Sequence, residues 1–373
     1  MSTKIINIES KAERLRFVKS MWNFYKDDKN FVPPIIVDRM KLIDTNKNAF
    51  YQHAKIKLFA AERDGEIVGR IAGITNELHN QIHNDKVGFF GFFECENNQE
   101  TANMLFDSAS QWLREQGMDV IRGPLNPSIN DELGLLIENF DEPPMILMTY
   151  NPPYYRDLIE EYGFLKAKDL YAYRLNYKDF ASEKLKRMVG IITERNQITF
   201  RNVDFKKNFK HDVALIKEIY NRAWQPNWGF VKLTDAELDQ LANDLKQLAE
   251  PSLAFFAYVK GQLAGFHLAL PNFNQVFIHN KNGSLLGALW QIFTKKKTIS
   301  QLRIIILGVL PEFQRTGVDA AIYEQSGYRG HLKNMEDAEA SWILEDNEMM
   351  NKGLTVTMNG KLYKVYRIFD KQL

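Results

Sequence analysis

Residues 59–74 read FAAERDGEIVGRIAGI and residues 255–270 read FFAYVKGQLAGFHLAL, so the chain states one pattern twice, 196 positions apart. Each copy is an apolar run, a turn at Gly65 or Gly261, and a second apolar run holding Gly69 or Gly265, which is how a β-hairpin reads. A second pair keeps the same offset. NPPYYRDLIEEYGFLKAKDLYAYRL starts at Asn151 and NEMMNKGLTVTMNGKLYKVYRIF starts at Asn347, each with a helix-length segment, a glycine (Gly163, Gly360) and a Tyr-Arg strand ending. A weaker match sets IINI near Asn7 against FRNV near Asn202. Three matches in one order at nearly constant spacing require two tandem copies of one fold. The 373 residues suit that, since a domain takes roughly 100 to 200.

Each half reads as a strand, one or two helices, a hairpin, a further strand, a helix, a strand, a helix and a closing strand, which is α/β (α+β) with mixed pairing. In the second half the β-branched and aromatic runs place strands near 198–204, 253–260, 262–270, 302–309, 339–345 and 362–369. Helices fall near 209–223, 235–248, 315–332 and 347–357, and Thr234 with Glu237 marks a capped helix start. The polar stretch near Lys178 to Lys184 divides the chain into domains 1–178 and 179–373. The halves differ at two segments without counterparts, 128–150 in the first and 271–300 in the second.

Charge and cysteine content narrow the function. Lys plus Arg number 48 and Asp plus Glu 47, a net +1 that supplies no field for nucleic acid. Cys95 is the single cysteine, which excludes an internal disulfide and fits a reducing compartment. With no signal-peptide core and no run of about 18 apolar residues, the expected location is cytoplasmic.

The most specific chemical feature is LRIIILGVLPEFQRTGVDAAIYEQ, residues 302–325: a strand, a proline turn, and a polar loop opening a helix. Amides at such a helix start point together toward an anion, Gly317 permits close approach and Arg315 adds a fixed positive charge. No GxxxxGK[ST] and no strand-borne GxGxxG is present. The run Gly308 to Val318 resembles the coenzyme A motif of the GNAT superfamily of N-acetyltransferases, in which strand, proline, Gln/Arg-x-x-Gly-x-Gly/Ala and helix follow in that order. Asp319 departs from the pattern, standing where the family usually has its last Gly or Ala. Asn347 and the helix, glycine and tyrosine-bearing strand after it resemble the same family's closing segment.

The resemblance covers nearly the whole chain and implies two tandem acyl-CoA N-acyltransferase-like domains, each a mixed, mostly antiparallel sheet flanked by helices. It is similar to a group of uncharacterised bacterial tandem acetyltransferase-like proteins. It implies acyl-CoA as co-substrate, bound by Leu307, Gly308, Val309, Gln314, Arg315, Thr316, Gly317, Val318 and Asn347, with no metal. The first half has GFFECENNQET, residues 91–101, in place of that loop, so only the second half is expected to bind coenzyme A. The tyrosine that many relatives carry about seven residues after the equivalent of Asn347 is missing.

The missing groups are sought in the first half's insertion, where Asp131 and Glu132 are candidate bases and Tyr150 a candidate acid, with the amine held between the halves. Asn126, Asn130, Asn151 and Trp228 are candidate substrate contacts; an ordinary solvated loop and, for Trp224 and Trp228, core packing account for the same residues. His79 and His83 have the i,i+4 spacing of a ligand pair, but without a third ligand they read as solvated polar residues, and Cys95 reads as packing. SLLGALWQIFTKKK, residues 284–297, joins an apolar run to three lysines. It is either a core helix ended by dipole-matched lysines or a segment from Leu285 to Lys297 lying on a membrane, which would suit a lipid-like acceptor or acyl donor. The leading reading is an acyl-CoA-dependent N-acyltransferase acting on a small-molecule or lipid-like primary amine. The alternatives are a non-catalytic acyl-CoA sensor and a peptidoglycan-bridge-type aminoacyl transferase.

Overall fold

The computed structural model describes residues 2–180, 182–225 and 227–373. They form two compact units. The first holds the chain through Leu170 together with Asn274–Lys296 and Lys364–Leu373; the second holds Tyr171–Phe273 and Lys297–Tyr363. Two pieces of the second sequence half, most of the 271–300 segment and the last ten residues, therefore belong to the first unit.

The strands in chain order are β1 (Lys4–Ile8), β2 (Ala54–Arg63), β3 (Glu66–Asn76), β4 (Val87–Cys95), β5 (Val120–Gly123), β6 (Leu125–Asn126), β7 (Glu132–Leu133), β8 (Leu135–Glu138), β9 (Leu165–Asn176), β10 (Ile198–Asn202), β11 (Ala254–Val259), β12 (Gln262–Pro271), β13 (Gln301–Val309), β14 (Asp337–Leu344) and β15 (Lys361–Gln372). In the first unit β1, β2, β3 and β4 pair antiparallel in that order and β5 joins β4 in parallel. Residues 369–372 of β15 then pair antiparallel with β5, and 365–367 pair with β8. The second unit repeats the scheme. Strands β10 to β13 are antiparallel neighbours and β14 joins β13 in parallel.

The repeat read from the sequence extends to local detail. Asp64-Gly65 and Lys260-Gly261 both turn with positive φ at each residue (54° and 82°, 48° and 79°), the conformation of a two-residue hairpin turn whose twist matches its strands. Each hairpin has a bulge at the same place, between Ala61 and Glu62 and between Ala257 and Tyr258. At Gly69 a Cβ would meet Leu105 at 2.7 Å, and at Gly265 it would meet Ile322 at 3.1 Å, so each glycine lets a helix lie close on its hairpin. Those helices are Gln99–Glu115 and Val318–His331. The apolar stripe Ala102, Leu105, Phe106, Ala109 and Leu113 is fully buried, each large side chain contributing about 1.5–3 kcal/mol.

The second-half elements fall where the sequence pattern places them, with two differences. The helix expected from residue 315 begins at Val318, because Arg315 (φ 61°) and Gly317 (φ 85°) are left-handed and keep 315–317 in a loop. The helix expected over 347–357 is Glu348–Lys352 continued by a π turn, Gly353–Thr357. Segment 274–296 is held in the first unit by backbone carbonyls. Asn274 donates to Pro144 and Met145 O at 3.0 Å each, Trp22 Nε1 donates to Lys281 O at 2.7 Å, and the Ile36 amide donates to Gly283 O at 2.9 Å.

Candidate active site

In the second unit the parallel pairing of β13 with β14 runs only from Gln301 opposite Asp337 to Ile304 opposite Ala340. A bulge near Ile305 interrupts the other side of β13, between its pairs with Leu268 and Ala269. Beyond these points the strands part around an open cleft with room for about 90 Å³. Ile305, Leu307, Ser341, Trp342 and Asn347 line it, and Trp224, Asn227, Tyr323 and Met350 complete its wall. Leaving a strand without its neighbour frees backbone N–H and C=O groups, so the cleft offers a polar edge between apolar walls.

The loop after β13 is held for a task. Gln314 Nε2 donates to Val309 O at 3.2 Å, Thr316 Oγ1 donates to Phe313 O at 2.6 Å, and Asn196 Nδ2 donates to Thr316 O at 3.3 Å. Gly317 caps helix Val318–His331 without any side-chain cap, whereas the equivalent helix of the first unit is capped by Asn98, which accepts from the Thr101 amide at 2.9 Å. The helix start in the second unit thus has no side-chain acceptor on its first amides, and the exposed Arg315 lies beside it; Asp319, also exposed, adds a carboxylate to the first turn. Val318 is buried.

Two groups that the sequence did not single out belong to this cleft. Tyr323 is carried by helix Val318–His331, and its hydroxyl donates to Met350 Sδ at 3.2 Å. Burial raises this phenol well above its ordinary pKa, so it keeps its proton. It brings a tyrosine to helix Glu348–Lys352, one turn before Leu354, the position at which the sequence lacks one. The second group reaches the cleft through Ser341. Ser341 Oγ donates to the buried Glu339 at 2.6 Å, Tyr363 donates to the same carboxylate, and Arg303 Nε donates to Ser341 Oγ at 3.0 Å.

Strand β13 also walls a second space. Ile306, between two residues that face the cleft, lines a small apolar gap of about 50 Å³ with Phe209, Val213, Leu238, Leu245 and Phe266. Helices Phe209–Ala223 and Asp235–Leu248 roof it.

The first-unit candidates form a polar cluster. Asn126 Oδ1 accepts from the Phe92 amide at 2.5 Å, where β4 takes a positive φ of 51°, and Asn126 Nδ2 donates to Glu132 at 3.1 Å. Glu132 is ion-paired with Arg39 at 2.5 Å. Burial, the largest single effect, lowers that guanidinium, but Glu132 together with Glu94 and Asp38 more than offsets it and holds it above its ordinary pKa. Asp131 accepts from Ser128 Oγ at 2.6 Å, and the Asn130 amide donates to that hydroxyl. Tyr150 lies elsewhere, donating to Asp28 at 2.7 Å, with its phenol raised by burial and then by Asp28. Asn151 spends its amide on Leu136 and Pro152. In the second unit, Trp228 is half-buried in the turn before Phe230, and it is Trp224 that lines the cleft.

Sequence reasoning also missed a buried network in the first unit. Glu94 on β4 accepts from Tyr25 and Tyr155 at 3.0 and 2.7 Å and lies 3.5 Å from Arg70. Burial raises its carboxyl and lowers the Arg70 guanidinium. A glutamate within GFFECE was the signal available. The reading of His79 as solvated is corrected: it is buried, edge-on to Phe89, and burial pushes it down to about 3. Cys95 is buried, with its thiol raised by that burial. Among the described residues no group of His, Cys, Asp and Glu could hold a metal ion, and no helix is long and apolar enough to cross a membrane.

No protein-family model matches the chain. Among characterised sequences it is 33% identical to the bacterial ceramide synthase of Caulobacter vibrioides, over 99% of this chain and 97% of that protein. It is 32% identical to protein YghO of Escherichia coli, over 98% and 94%. Among solved structures it matches a tandem GNAT protein from the clavulanic acid biosynthesis pathway at a TM-score of 0.61, 10% identical, covering 100% of this chain and 98% of that one. A GCN5-related N-acetyltransferase from Sphaerobacter thermophilus matches at 0.52, also 10% identical, over 99% and 95%. The structural likenesses show the fold, two tandem GNAT-fold units.

Proposed function

Because the chain belongs to the family of the bacterial ceramide synthase and YghO, built on the tandem GNAT fold, we propose that it is an acyl-CoA-dependent N-acyltransferase joining a fatty acyl group to a lipid-like primary amine. The observation that carries this reading is the cleft between the parting strands β13 and β14, with the glycine-capped loop 314–317 just beyond the end of β13. A ceramide is the fatty amide of a sphingoid amine, so the relative's name points to long aliphatic chains.

The reaction forms a C–N bond at the thioester carbonyl and breaks the C–S bond; the nitrogen gives up two protons on its way from ammonium to amide, one to a base before attack and one as the tetrahedral intermediate collapses, while the departing thiolate gains one and the other leaves to water. Backbone N–H groups of β13 beyond Ile304 would receive the developing oxyanion. Tyr323, kept protonated by burial, would supply the thiolate's proton, with Tyr150 the other candidate. The Gln314 to Val318 loop and Arg315 would hold the pyrophosphate, and Leu307 to Val309 and Asn347 the pantetheine. Glu132 and Asp131 remain the proposed proton acceptors, with Asn126, Asn130 and Trp228 proposed to orient the amine.

One observation favours a second reading, an acyl-CoA sensor without turnover: Asp319 puts a carboxylate in the first turn of the anion-facing helix. Calorimetric titration with coenzyme A, then thiol release from palmitoyl-CoA and from acetyl-CoA with long-chain and small amines, separates the two. Turnover confined to the long substrates is the expected result. Binding without turnover leaves the sensor, and no binding refutes both.

A further inference from the structure

The helix Leu285–Lys295 is amphipathic the wrong way round for a protein in water. Gly287, Ala288, Gln291 and the half-buried Ile292 make its inner face: Ala288 is fully buried, a Cβ on Gly287 would strike Asn280, and Gln291 Oε1 is buried. The outer face carries Leu286, Leu289, Trp290 and Phe293, with the i, i+3, i+4, i+7 spacing of one helical stripe. Leu286 is 80% exposed, Trp290 63% and Phe293 85%. Val37 is exposed as well, on helix Ile36–Leu42, whose first amide is bonded to Gly283 O two residues before Leu285.

Charge says what covers this stripe. Residues 271–300 contain Lys281 ahead of the helix, Lys295, Lys296 and Lys297 at its end, and no aspartate or glutamate. We propose that the helix is a docking surface for an anionic lipid bilayer, Leu286, Leu289, Trp290 and Phe293 entering the acyl boundary while the lysines meet lipid phosphates. A second copy of this chain is the poorer occupant. Both ends of the stripe are basic, so helices paired in either direction bring cation against cation.

Flotation with phosphatidylcholine vesicles containing or lacking phosphatidylglycerol tests the proposal without substrate, so its outcome is independent of the acyltransferase reading. The intact chain is expected to float with the anionic vesicles, at least about tenfold more than with neutral ones, and to be released by salt. Leu286→Ser/Trp290→Ser/Phe293→Ser changes only exposed side chains and should lower partition at least about tenfold with an unchanged circular dichroism spectrum. Lys296→Glu/Lys297→Glu should abolish the preference for anionic vesicles. Failure of the intact chain to float, equal flotation of the triple variant, or a solution dimer that the triple variant dissociates would each overturn the assignment.

Discussion

Alanine at Gly308 tests whether the cleft wall is built as described. An added Cβ would stand 2.4 Å from Cζ3 and 2.5 Å from Cη2 of Trp224, and 3.0 Å from Ile219 Cγ2. Carbon atoms rest at about 3.5–4.0 Å, so the indole must retreat by roughly 1 Å. It has little freedom to do so, because Trp224 ends helix Phe209–Ala223 and its ring stacks on Tyr220 with centroids 5.2 Å apart. Overpacking of this kind costs about 1–3 kcal/mol. Trp224→Leu removes the obstacle, so the double variant should be more stable than the sum of the single changes predicts, by at least about 1 kcal/mol. Urea unfolding followed by far-ultraviolet circular dichroism measures all four proteins without relying on tryptophan emission. Because Trp224 and Leu307 both line the cleft, Gly308→Ala should also weaken acyl-CoA binding. A wild-type urea midpoint for Gly308→Ala, or strict additivity in the double variant, would show that Trp224 does not pack on β13 and would refute this wall.

Arg315→Glu should weaken coenzyme A in calorimetric titration by about 1.4 kcal/mol, roughly tenfold, through lost attraction and added repulsion; unchanged affinity would remove the loop from the site. Tyr323→Phe should lower turnover while coenzyme A affinity stays near wild type, and wild-type thiol release would dismiss it as the acid. Glu132→Gln and Asp131→Asn should likewise reduce kcat alone, and full activity of both and of the double variant would exclude them. Buried His267 is held neutral, pushed down to about 3 by burial. The unfolded chain therefore takes up this proton first as pH falls below about 6.5, so the stabilisation is complete above 6.5 and declines by about 1.4 kcal/mol per pH unit toward 3. Between pH 7 and 5 the wild type should lose about 2 kcal/mol more than His267→Leu, and parallel urea midpoints for the two would contradict the burial assigned to this ring.

The tandem fold was legible because hairpins, glycines and caps are local. Asp64-Gly65 and Lys260-Gly261 announce their turns, and Thr234 with Glu237 forms a capping box that the structure contains. The cleft was only half legible. Its loop has a sequence signature, but its opening is made by two parallel strands parting after Ile304, which no run of residues encodes. Tyr323 escaped notice because a tyrosine within a helix looks like packing until its neighbour Met350 is known. Glu94 and His79 were missed for one reason: their burial is decided by strands and helices distant in sequence. The outward face of Leu285–Lys295 was likewise undecidable, since helical spacing fixes which residues share a face and not which face meets water.

The assignment of Lys364–Leu373 to the first unit has a consequence for how the protein is made. Strand β5 finds its antiparallel neighbour in residues 369–372, nearly 250 positions further along the chain. A ribosome must therefore synthesise through residue 372 before the first unit can close its sheet, and until then the edge of β5 stays open to wrong partners. Pairings this distant in sequence are slow to form. The first half, although synthesised first, should be the last to reach protease resistance, and a chain without residues 364–373 should lose that resistance in the half farthest in sequence from the deletion.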